Sequence, residues 1–287
     1  MKRLLLFCLL WLWPSLAAIG QEQSSPANPR VQDVSFPSKA LGRDARYRVI
    51  LPRGYEAGGR FPVLYLLHGL YGDYLNWDTR TEIENYTREL PLLVVMPDAG
   101  DSWYVNSASA PTGKFEDYFV KDLIVDVEER FHTIRNRNHR AIAGLSMGGY
   151  GAIKFALKYP DLFEFAGSLS GALNAAQNLD DLRPEFRAKL VEVFGPANSQ
   201  TRTENDVFRL AKAIPTSGPH PHLYLACGNS DFFLATNRAF AAELSEIKLD
   251  YEYHETAGGH SWEYWDASLQ PLLGAAARAV DISESMK

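Results

Sequence analysis

Short apolar runs alternate with amphipathic stretches along the chain from Val31 onward. Val63–Leu67 and Leu92–Met96 are continuous apolar runs that end in turn residues, which is typical of strands buried on both faces. Arg46–Leu51 instead alternates polar and apolar positions, as a half-buried strand does. The pattern predicts further strands at Ala141–Gly144, Phe165–Ser168, His222–Cys227 and Tyr251–His254.

Helical periodicity is clearest between Phe115 and His132. Apolar residues recur there every four positions, with acidic residues on the opposite face, which predicts an amphipathic helix. Because predicted strands and helices alternate, the sequence favours the α/β class, with a mostly parallel central sheet covered by helices on both faces. The other predicted helices are Gly148–Lys158, Leu234–Ile247 and Ser261–Ala277.

The segment Ala172–Pro221 interrupts this alternation. It is polar, it is broken by prolines and a glycine, and it contains no clear strand. We therefore predict that residues 172–221 form a helical or loop insertion that covers one end of the sheet like a lid.

Residues 1–20 have the pattern of a secretory signal peptide: a basic start, an apolar run from Leu4 to Trp13, and small residues at the end. The run is too short for a comfortable transmembrane helix, which needs about 20 residues, although an uncleaved membrane anchor is the alternative. Cys8 lies inside the run, which disfavours a lipoprotein signal. Residues 21–30 are polar and are predicted to form a flexible leader. We expect a secreted or periplasmic protein with no stable membrane span once the signal is removed.

The composition is that of a folded domain, with 46% hydrophobic and 22% charged residues, and it excludes a disordered or fibrous chain. Loss of residues 1–20 would change the net charge from −6 to −8, since Lys2 and Arg3 leave and no acidic residue does. No Lys/Arg-rich run is present, so we expect no nucleic-acid partner.

Once residues 1–20 are removed, Cys227 is the only cysteine left. This predicts that Cys227 is a small buried residue at the end of a strand and that the chain has no internal disulfide.

The most specific chemical signal is the motif Gly-Leu-Ser-Met-Gly-Gly at residues 144–149. It follows a predicted strand and opens a predicted helix, and a tight turn of this kind presents the Ser146 hydroxyl at the carboxyl edge of the sheet. An idle serine in a glycine-rich turn is the alternative interpretation. The strand-to-helix context favours a catalytic nucleophile.

A serine hydroxyl is a weak nucleophile and needs a base within hydrogen-bond reach. His260 lies in the loop between the last predicted strand and the last predicted helix, whereas His254, the second candidate, lies within a strand. Asp231 is the only acid in the turn after the penultimate strand, so we expect it to orient His260. Asp206 and Asp266 are weaker alternatives for the acid.

Backbone N–H groups are expected to stabilise an oxyanion next to the nucleophile. One donor should be Met147, directly after Ser146, and the second should come from the loop after an early strand. Leu70 is the natural second donor, because it follows Gly69 in the loop after Val63–Leu67.

Aromatic residues are concentrated in loops that this fold class brings to the same edge of the sheet. Trp77, Trp103 and Trp262 are candidate substrate-binding residues, and Tyr104 lies beside them. Ordinary packing of the loops is the alternative for each.

We predict no metal and no cofactor. Asp98 and Asp101 are typical of solvated loop carboxylates. His220 and His222 lack an evident third ligand.

Six segments of the chain resemble the putative esterase (esterase D-like) branch of the α/β-hydrolase fold. They are LLHGLYGDYLNW, VVMPDAGDSWY, AGLSMGGYGA, SLSGAL, CGNSDF and GGHSWEYW, and the resemblance spans about Val31 to Ala276. It implies an α/β-hydrolase catalytic domain at residues 31–280 that carries the insertion at 172–221. It also implies a Ser146–Asp231–His260 triad, with Leu70 and Met147 as oxyanion donors.

Within this branch the chain is most similar to tributyrin-type carboxylesterases, which implies a serine carboxylesterase acting on short-chain acyl esters through an acyl-enzyme. Alternatives within the branch are an acyltransferase with the same triad and an esterase of the feruloyl or acetylxylan type. S-formylglutathione hydrolases carry a threonine-cysteine pair where this chain has Tyr71-Gly72, which argues against a glutathione ester. A binding protein that retains an inactive hydrolase fold is the alternative from another class. The expected partner is a small-molecule or polysaccharide-linked ester, and a homo-oligomer is possible.

Overall fold

The computed structural model describes residues 28–177, 183–215, 217–280 and 282. The predicted signal peptide at 1–20 and all but the last three residues of the predicted leader at 21–30 lie outside these residues.

An eight-stranded sheet runs through the described part of the chain, in the order β1-β2-β4-β3-β5-β6-β7-β8. The first two strands pair antiparallel with each other, and β2 pairs antiparallel with β4. All later pairs are parallel, which confirms the predicted α/β class. The strands are β1 (Val31–Ser38), β2 (Arg43–Ile50), β3 (Val63–Leu67), β4 (Leu93–Pro97), β5 (Arg140–Leu145), β6 (Phe165–Leu169), β7 (His222–Gly228) and β8 (Tyr251–Thr256).

Side chains of the central strands point alternately into two apolar cores, one on each face of the sheet. In β3, Val63, Tyr65 and Leu67 enter one core, and Leu64 and Leu66 enter the other. All five are buried, which explains why the sequence shows a continuous apolar run here rather than an alternation. The edge strand β1 was not predicted, because most of its positions face solvent and only two are buried.

Helices cover both faces of the sheet, as predicted. One core includes residues from α5 and α9, and the other includes residues from α1, α2 and α10. The helices are α1 (Asn76–Arg80), α2 (Ile83–Tyr86), α3 (Phe115–Asp117), α4 (Ile124–Arg130), α5 (Met147–Lys158), α6 (Pro184–Phe194), α7 (Gln200–Asn205), α8 (Val207–Ala213), α9 (Leu234–Ile247) and α10 (Trp262–Ala279), with short 3₁₀ turns at Tyr55–Ala57 and Arg137–His139.

The predicted helix over Phe115–His132 is less regular than its periodicity indicated. A π-helical stretch, Tyr118–Leu123, separates α3 from α4, and the helix ends at Arg130. A π-helix widens the turn and shifts the residues that follow around the axis. Phe119, Leu123 and Val127 nevertheless all remain buried.

The described residues of the segment 172–221 form α6, α7 and α8 and no strand, which agrees with a helical insertion. Residues 178–182 and 216 of this segment lie outside the described part. Hydrogen bonds attach it to the main fold, including one from the Tyr150 hydroxyl to the Asn205 carbonyl at 2.7 Å and one from the Ala108 N–H to the Val193 carbonyl at 2.8 Å.

Among the helices that the structure describes, none combines the length and the apolar character needed to cross a bilayer.

Candidate active site

Ser146 lies in the sharp turn between β5 and α5, in a backbone conformation that few residues adopt. Its φ is 52° and its ψ is −115°, so the residue sits in the region that favours glycine. The surrounding backbone holds it there: the Ser146 N–H donates to the Leu169 carbonyl at 2.9 Å, and the Ser146 carbonyl accepts from the Ala172 N–H at 3.1 Å. Strain of this kind persists where the neighbouring structure overdetermines it, and it is concentrated at functional sites.

Glycines on both sides of Ser146 allow the turn to be this tight. A Cβ atom at Gly144 would lie 2.5 Å from the Gly148 carbonyl carbon, and one at Gly148 would lie 2.6 Å from the His68 carbonyl oxygen. Both contacts are with backbone, which cannot move aside as a flexible side chain can. The glycines of the motif are therefore required by close packing of β5, α5 and the loop after β3.

Ser146, His260 and Asp231 form one line of hydrogen bonds. The Ser146 Oγ lies 3.0 Å from His260 Nε2, and His260 Nδ1 lies 2.9 Å from Asp231 Oδ2 and 3.2 Å from Asp231 Oδ1. With its Nδ1 proton donated to the carboxylate, the imidazole presents an unprotonated Nε2 to the hydroxyl. This tautomer can accept the Ser146 proton, as a general base must.

The loops that carry the acid and the base are joined to each other. The Ser230 N–H donates to the Gly258 carbonyl at 2.9 Å, and the Asn229 N–H donates to the Thr256 carbonyl at 2.9 Å. These bonds continue the pairing of β7 and β8 beyond the strand ends. The distance between Asp231 and His260 is thus set by backbone rather than by two long side chains.

The Asp231 carboxylate is fully buried behind the imidazole. Burial alone would raise its pKa, but hydrogen bonds from His260 and from the Phe233 N–H, at 2.8 Å, outweigh this and hold the pKa below its usual range. The carboxylate therefore remains charged at neutral pH, where it can stabilise an imidazolium on His260.

Of the predicted oxyanion donors, Leu70 lines the same cavity as Ser146, and Met147 follows Ser146 directly in the chain. Met147 begins α5, so its N–H belongs to the first turn and has no partner within the helix. The Leu70 N–H has no acceptor among the residues that the structure describes. Two unpaired N–H groups beside a nucleophile are what an oxyanion hole requires.

The loop that carries Leu70 is held by hydrogen bonds to its other side. The Tyr104 hydroxyl donates to the His68 carbonyl at 2.9 Å, and the Ala99 N–H donates to His68 Nε2 at 3.0 Å. The His68 Nδ1 proton is then donated to the Gly69 carbonyl at 2.8 Å. Burial lowers the pKa of His68, so the ring stays neutral and acts as a structural link between the loops after β3 and β4.

A buried ion pair connects Tyr104 to α5, the helix that follows Ser146. Lys154 of α5 is fully buried, and its ammonium donates to the Tyr104 carbonyl and to Glu116 Oε2, the latter at 2.7 Å. Glu116 also accepts from the Tyr159 hydroxyl and pairs with Lys158, each at 2.7 Å. Burial alone would raise the pKa of Glu116, but the two ammonium groups outweigh it and hold the pKa at about 2.

A cavity of about 580 Å³ opens above Ser146 and His260. Trp103 and Trp262, two of the predicted substrate-binding residues, line it. Trp77 is not among the lining residues: it is buried, its Nε1–H donates to the Leu67 carbonyl at 3.1 Å, and its ring packs edge-on against Trp262 at 5.8 Å between centroids. Trp77 thus supports the cavity wall from behind.

Several lining residues were not found from the sequence. Phe232 follows Asp231 directly and stands at the rim with 72% of its surface exposed, its ring 4.3 Å from that of His260. The position of Phe232 in the CGNSDF segment was a usable signal. Phe186 from α6 had none, because only the tertiary structure brings the insertion to this edge. Other lining residues missed include Asn76, Arg80, Arg183, Phe233 and Trp265.

A second cavity of about 340 Å³ shares Leu70, Tyr71, Trp103 and Phe186 with the first. Tyr71 is 71% exposed, and its N–H donates to Asp101 Oδ1 at 2.7 Å.

The alternative acids and base lie elsewhere. Asp206 caps α8 through the Phe208 N–H, and Asp266 accepts from the Glu82 N–H and the Tyr86 hydroxyl. His254 pairs with Glu252 on the exposed face of β8.

Asp98, Asp101 and His222, three of the side chains considered as metal ligands, have other partners. Asp98 accepts from the Gly100 N–H, and His222 bridges Asp250 and Glu252. Within the described residues, no group of three or more His, Cys, Asp or Glu side chains has a metal-binding arrangement. Cys227 is a buried free thiol, as predicted, and burial raises its pKa to about 12.

The chain is similar to several characterised proteins. It is 31% identical to Esterase Rv1288 of Mycobacterium tuberculosis over 88% of this chain, and it spans 63% of that relative's length. It is 28% identical to an acetyl esterase of Caldicellulosiruptor saccharolyticus, over 82% of this chain and 94% of the relative. It is also 28% identical to the diacylglycerol acyltransferase/mycolyltransferase Ag85B of Mycobacterium leprae, over 89% of this chain and 86% of the relative.

A solved structure, the S-formylglutathione hydrolase FrmB of Staphylococcus aureus, superimposes with a TM-score of 0.76. It is 31% identical and covers 86% of this chain and 98% of its own. The model of the family described as "Putative esterase" matches residues 38–276. The chain therefore belongs to this esterase family of the α/β-hydrolase fold.

Proposed function

We propose that this enzyme hydrolyses short-chain acyl esters through an acyl-enzyme on Ser146. The observation that carries the proposal is the line of hydrogen bonds from Ser146 through His260 to Asp231, at 3.0 and 2.9 Å, at the floor of an open cavity. A hydroxyl, an imidazole and a carboxylate in this order form the arrangement that activates a serine nucleophile.

In the first half of the reaction, His260 Nε2 takes the Ser146 proton while the Oγ attacks the ester carbonyl carbon. The carbonyl oxygen becomes an oxyanion that accepts hydrogen bonds from the Leu70 and Met147 N–H groups. The imidazolium, stabilised by Asp231, then protonates the leaving alkoxide as the carbon–oxygen bond breaks, which leaves the acyl group on Ser146.

In the second half, water replaces the alcohol. His260 removes a proton from the water as it attacks the acyl carbon, and a second oxyanion forms between the same two N–H groups. Its collapse releases the carboxylic acid and returns the proton to Ser146. Every proton passes through His260, so the chemistry needs no cofactor.

The cavity supports esters with small acyl groups or aryl parts. Its walls are largely aromatic, which suits an apolar group, and the similarity to an acetyl esterase favours a short acyl chain. Acetyl or feruloyl esters linked to a polysaccharide also suit the cavity, because it is open to solvent.

The decisive experiment compares wild-type enzyme with Ser146→Ala on p-nitrophenyl acetate and butyrate. We expect kcat to fall by about 10⁴-fold or more, because no other group supplies the nucleophile. Ser35→Ala, on the exposed face of β1, is the matched control and should retain full activity. A fluorophosphonate probe should label wild type and not Ser146→Ala. Retained turnover in folded Ser146→Ala would overturn the proposal.

The similarity to Ag85B favours one second candidate, an acyltransferase that passes the acyl group to an alcohol instead of water. The acyl-enzyme would be the same, and only the second nucleophile would differ. Product analysis with glycerol or a sugar present separates the two: dominant acyl transfer at millimolar alcohol would favour the transferase.

We further propose export from the cytoplasm, on the signal-like pattern of residues 1–20. The mass of the protein recovered from its producing cell tests this. Loss of about 20 N-terminal residues supports cleavage, and an intact start at Met1 in the cytoplasm contradicts it.

A further inference from the structure

Two arginines, Arg80 and Arg183, are the formally charged side chains that line the catalytic cavity. We propose that the natural ester carries an anionic group, such as a carboxylate or a phosphate, and that these two guanidinium groups bind it. The inference rests on the proposed esterase function and deepens it by naming a substrate class.

No carboxylate lines this cavity among the described residues. The nearest functional acid, Asp231, is fully buried behind His260 and cannot face the substrate. Asp101 and Glu192 line the neighbouring cavity, where Asp101 already accepts from the Tyr71 N–H at 2.7 Å. Within the described lining, a ligand above Ser146 therefore meets positive formal charge without a facing negative one.

Neither arginine has an ion-pair partner among the described residues. Other arginines of the chain do: Arg48 pairs with Asp33 and Asp78, and Arg140 pairs with Glu128. Unpaired arginines at the mouth of a cavity are the more notable because the chain as a whole is acidic, with a net charge of −6. Charges of one sign along a low-dielectric cleft concentrate the field and attract the opposite charge.

The two arginines come from different parts of the fold. Arg80 ends α1, which packs on one face of the sheet, whereas Arg183 precedes α6 in the insertion. Both are exposed, so each can reach a ligand held against the aromatic walls. A guanidinium binds a carboxylate or phosphate through two parallel hydrogen bonds, so arginine suits such a group better than a lysine does.

The test uses ester pairs that differ only in charge. 4-Carboxyphenyl acetate and its neutral methyl ester place the charge in the alcohol half, and monophenyl adipate and methyl phenyl adipate place it in the acyl half. A phosphate-bearing phenyl acetate separates phosphate from carboxylate recognition. For each pair, the ratio of kcat/KM for the anionic ester to that for the neutral ester is measured in wild type, Arg80→Gln and Arg183→Gln.

The intrinsic chemical reactivity of each ester is the same for every enzyme, so it cancels when the ratios of wild type and the variants are compared. We expect the ratio to fall by about threefold to tenfold in each variant, for at least one ester half, and to fall in wild type as salt is added. Arg43→Gln is the control, because it removes the same charge from an exposed position on β2 and should leave the ratio unchanged.

Identical ratios in wild type and both cavity variants would overturn the inference. So would an equal fall in Arg43→Gln, which would indicate a net-charge effect. The neutral esters keep the two proposals separate: no turnover of any neutral ester would contradict the esterase proposal itself, whereas turnover without charge preference contradicts only the anionic substrate.

Discussion

The sharp turn at Ser146, with the helix α5 that follows it, and the insertion at 172–221 both face the cavity above Ser146, yet they are built very differently. Every residue of α5 except Lys158 is buried, and glycine contacts hold its first turn against the loop after β3. In α6 of the insertion, Leu190 and Phe194 are the buried residues, and the rest is partly or fully exposed.

This difference separates two requirements of catalysis. The proposed reacting groups must be held within a fraction of an ångström, and they lie in short turns between strands and helices whose backbones are packed against one another. The groups that contact the variable part of the substrate need only complementary shape and charge. We therefore expect changes near Ser146 to alter kcat or stability strongly, and changes in the insertion to alter mainly KM and substrate preference.

The largest effect after loss of Ser146 itself is expected from Asp231→Asn. The amide keeps the shape but cannot stabilise the imidazolium, so kcat should fall by about 10²- to 10⁴-fold with little change in KM. Steady-state kinetics on p-nitrophenyl butyrate measures this. Asp266→Asn, the alternative acid on α10, should behave like wild type, and a comparable loss in Asp266→Asn would contradict the assignment.

Glu116→Gln should lower the free energy of unfolding by about 3 kcal/mol at pH 7, because it leaves the buried Lys154 ammonium without its counter-ion. The pKa of Glu116 is about 2 in the folded protein and 4.5 ordinarily, so its stabilisation is complete above pH 4.5 and is lost as pH falls toward 2.

Denaturant titrations across this pH range should therefore show the gap between wild type and Glu116→Gln closing as pH decreases. Glu89→Gln removes an acid from an exposed pair with Arg53 and should produce almost no gap. A gap for Glu116→Gln that is independent of pH would show that the carboxylate charge is not what stabilises the structure.

Tyr104→Phe removes the hydroxyl that holds the His68 carbonyl, two residues before Leu70. We expect kcat to fall about tenfold with KM nearly constant, because a displaced oxyanion donor weakens the transition state more than the bound ester. Tyr118→Phe is a matched control, since its buried hydroxyl has no hydrogen-bond partner in the part of the chain that the structure describes. Equal kinetics for the two variants would remove Tyr104 from the support of the oxyanion loop.

The smallest effect is expected in the insertion. Phe186→Ala shortens a ring that lines both cavities and contacts Trp103, with 6.5 Å between centroids. KM for aryl or longer acyl esters should rise about threefold, while kcat for acetate stays the same, because uniform binding is lost. A loss of kcat on acetate as large as that of Tyr104→Phe would break the distinction between the two regions.

Much of the fold and the candidate triad were readable from the sequence for a shared reason. A parallel sheet buried on both faces demands continuous apolar strands, and residues directly after such strands must meet at one edge. Ser146, Asp231 and His260 follow β5, β7 and β8, so their positions directly after these strands were enough to predict that they lie close together. The edge strand β1 was not readable, because an exposed strand carries only a weak apolar signal.

The residues around the triad illustrate the limit of this reasoning. Trp77 and Trp103 were both predicted to lie in loops at the same edge, yet Trp77 lies in α1, buried behind the wall, and Trp103 lines the cavity. Their sequence environments do not distinguish them, because the direction of a loop side chain depends on what packs against it.

The sequence by itself determined the α/β class, the order of the central strands and helices along the chain, and the three candidate polar residues that follow the strand ends. It could do so because periodicity and turn residues are local properties. The tertiary structure alone decided which aromatic rings line the cavity, that Tyr104 and Lys154 support the loop that carries Leu70, and that Arg80 and Arg183 meet at one cavity. These depend on contacts between segments separated by tens to more than a hundred residues, and no local pattern encodes such contacts.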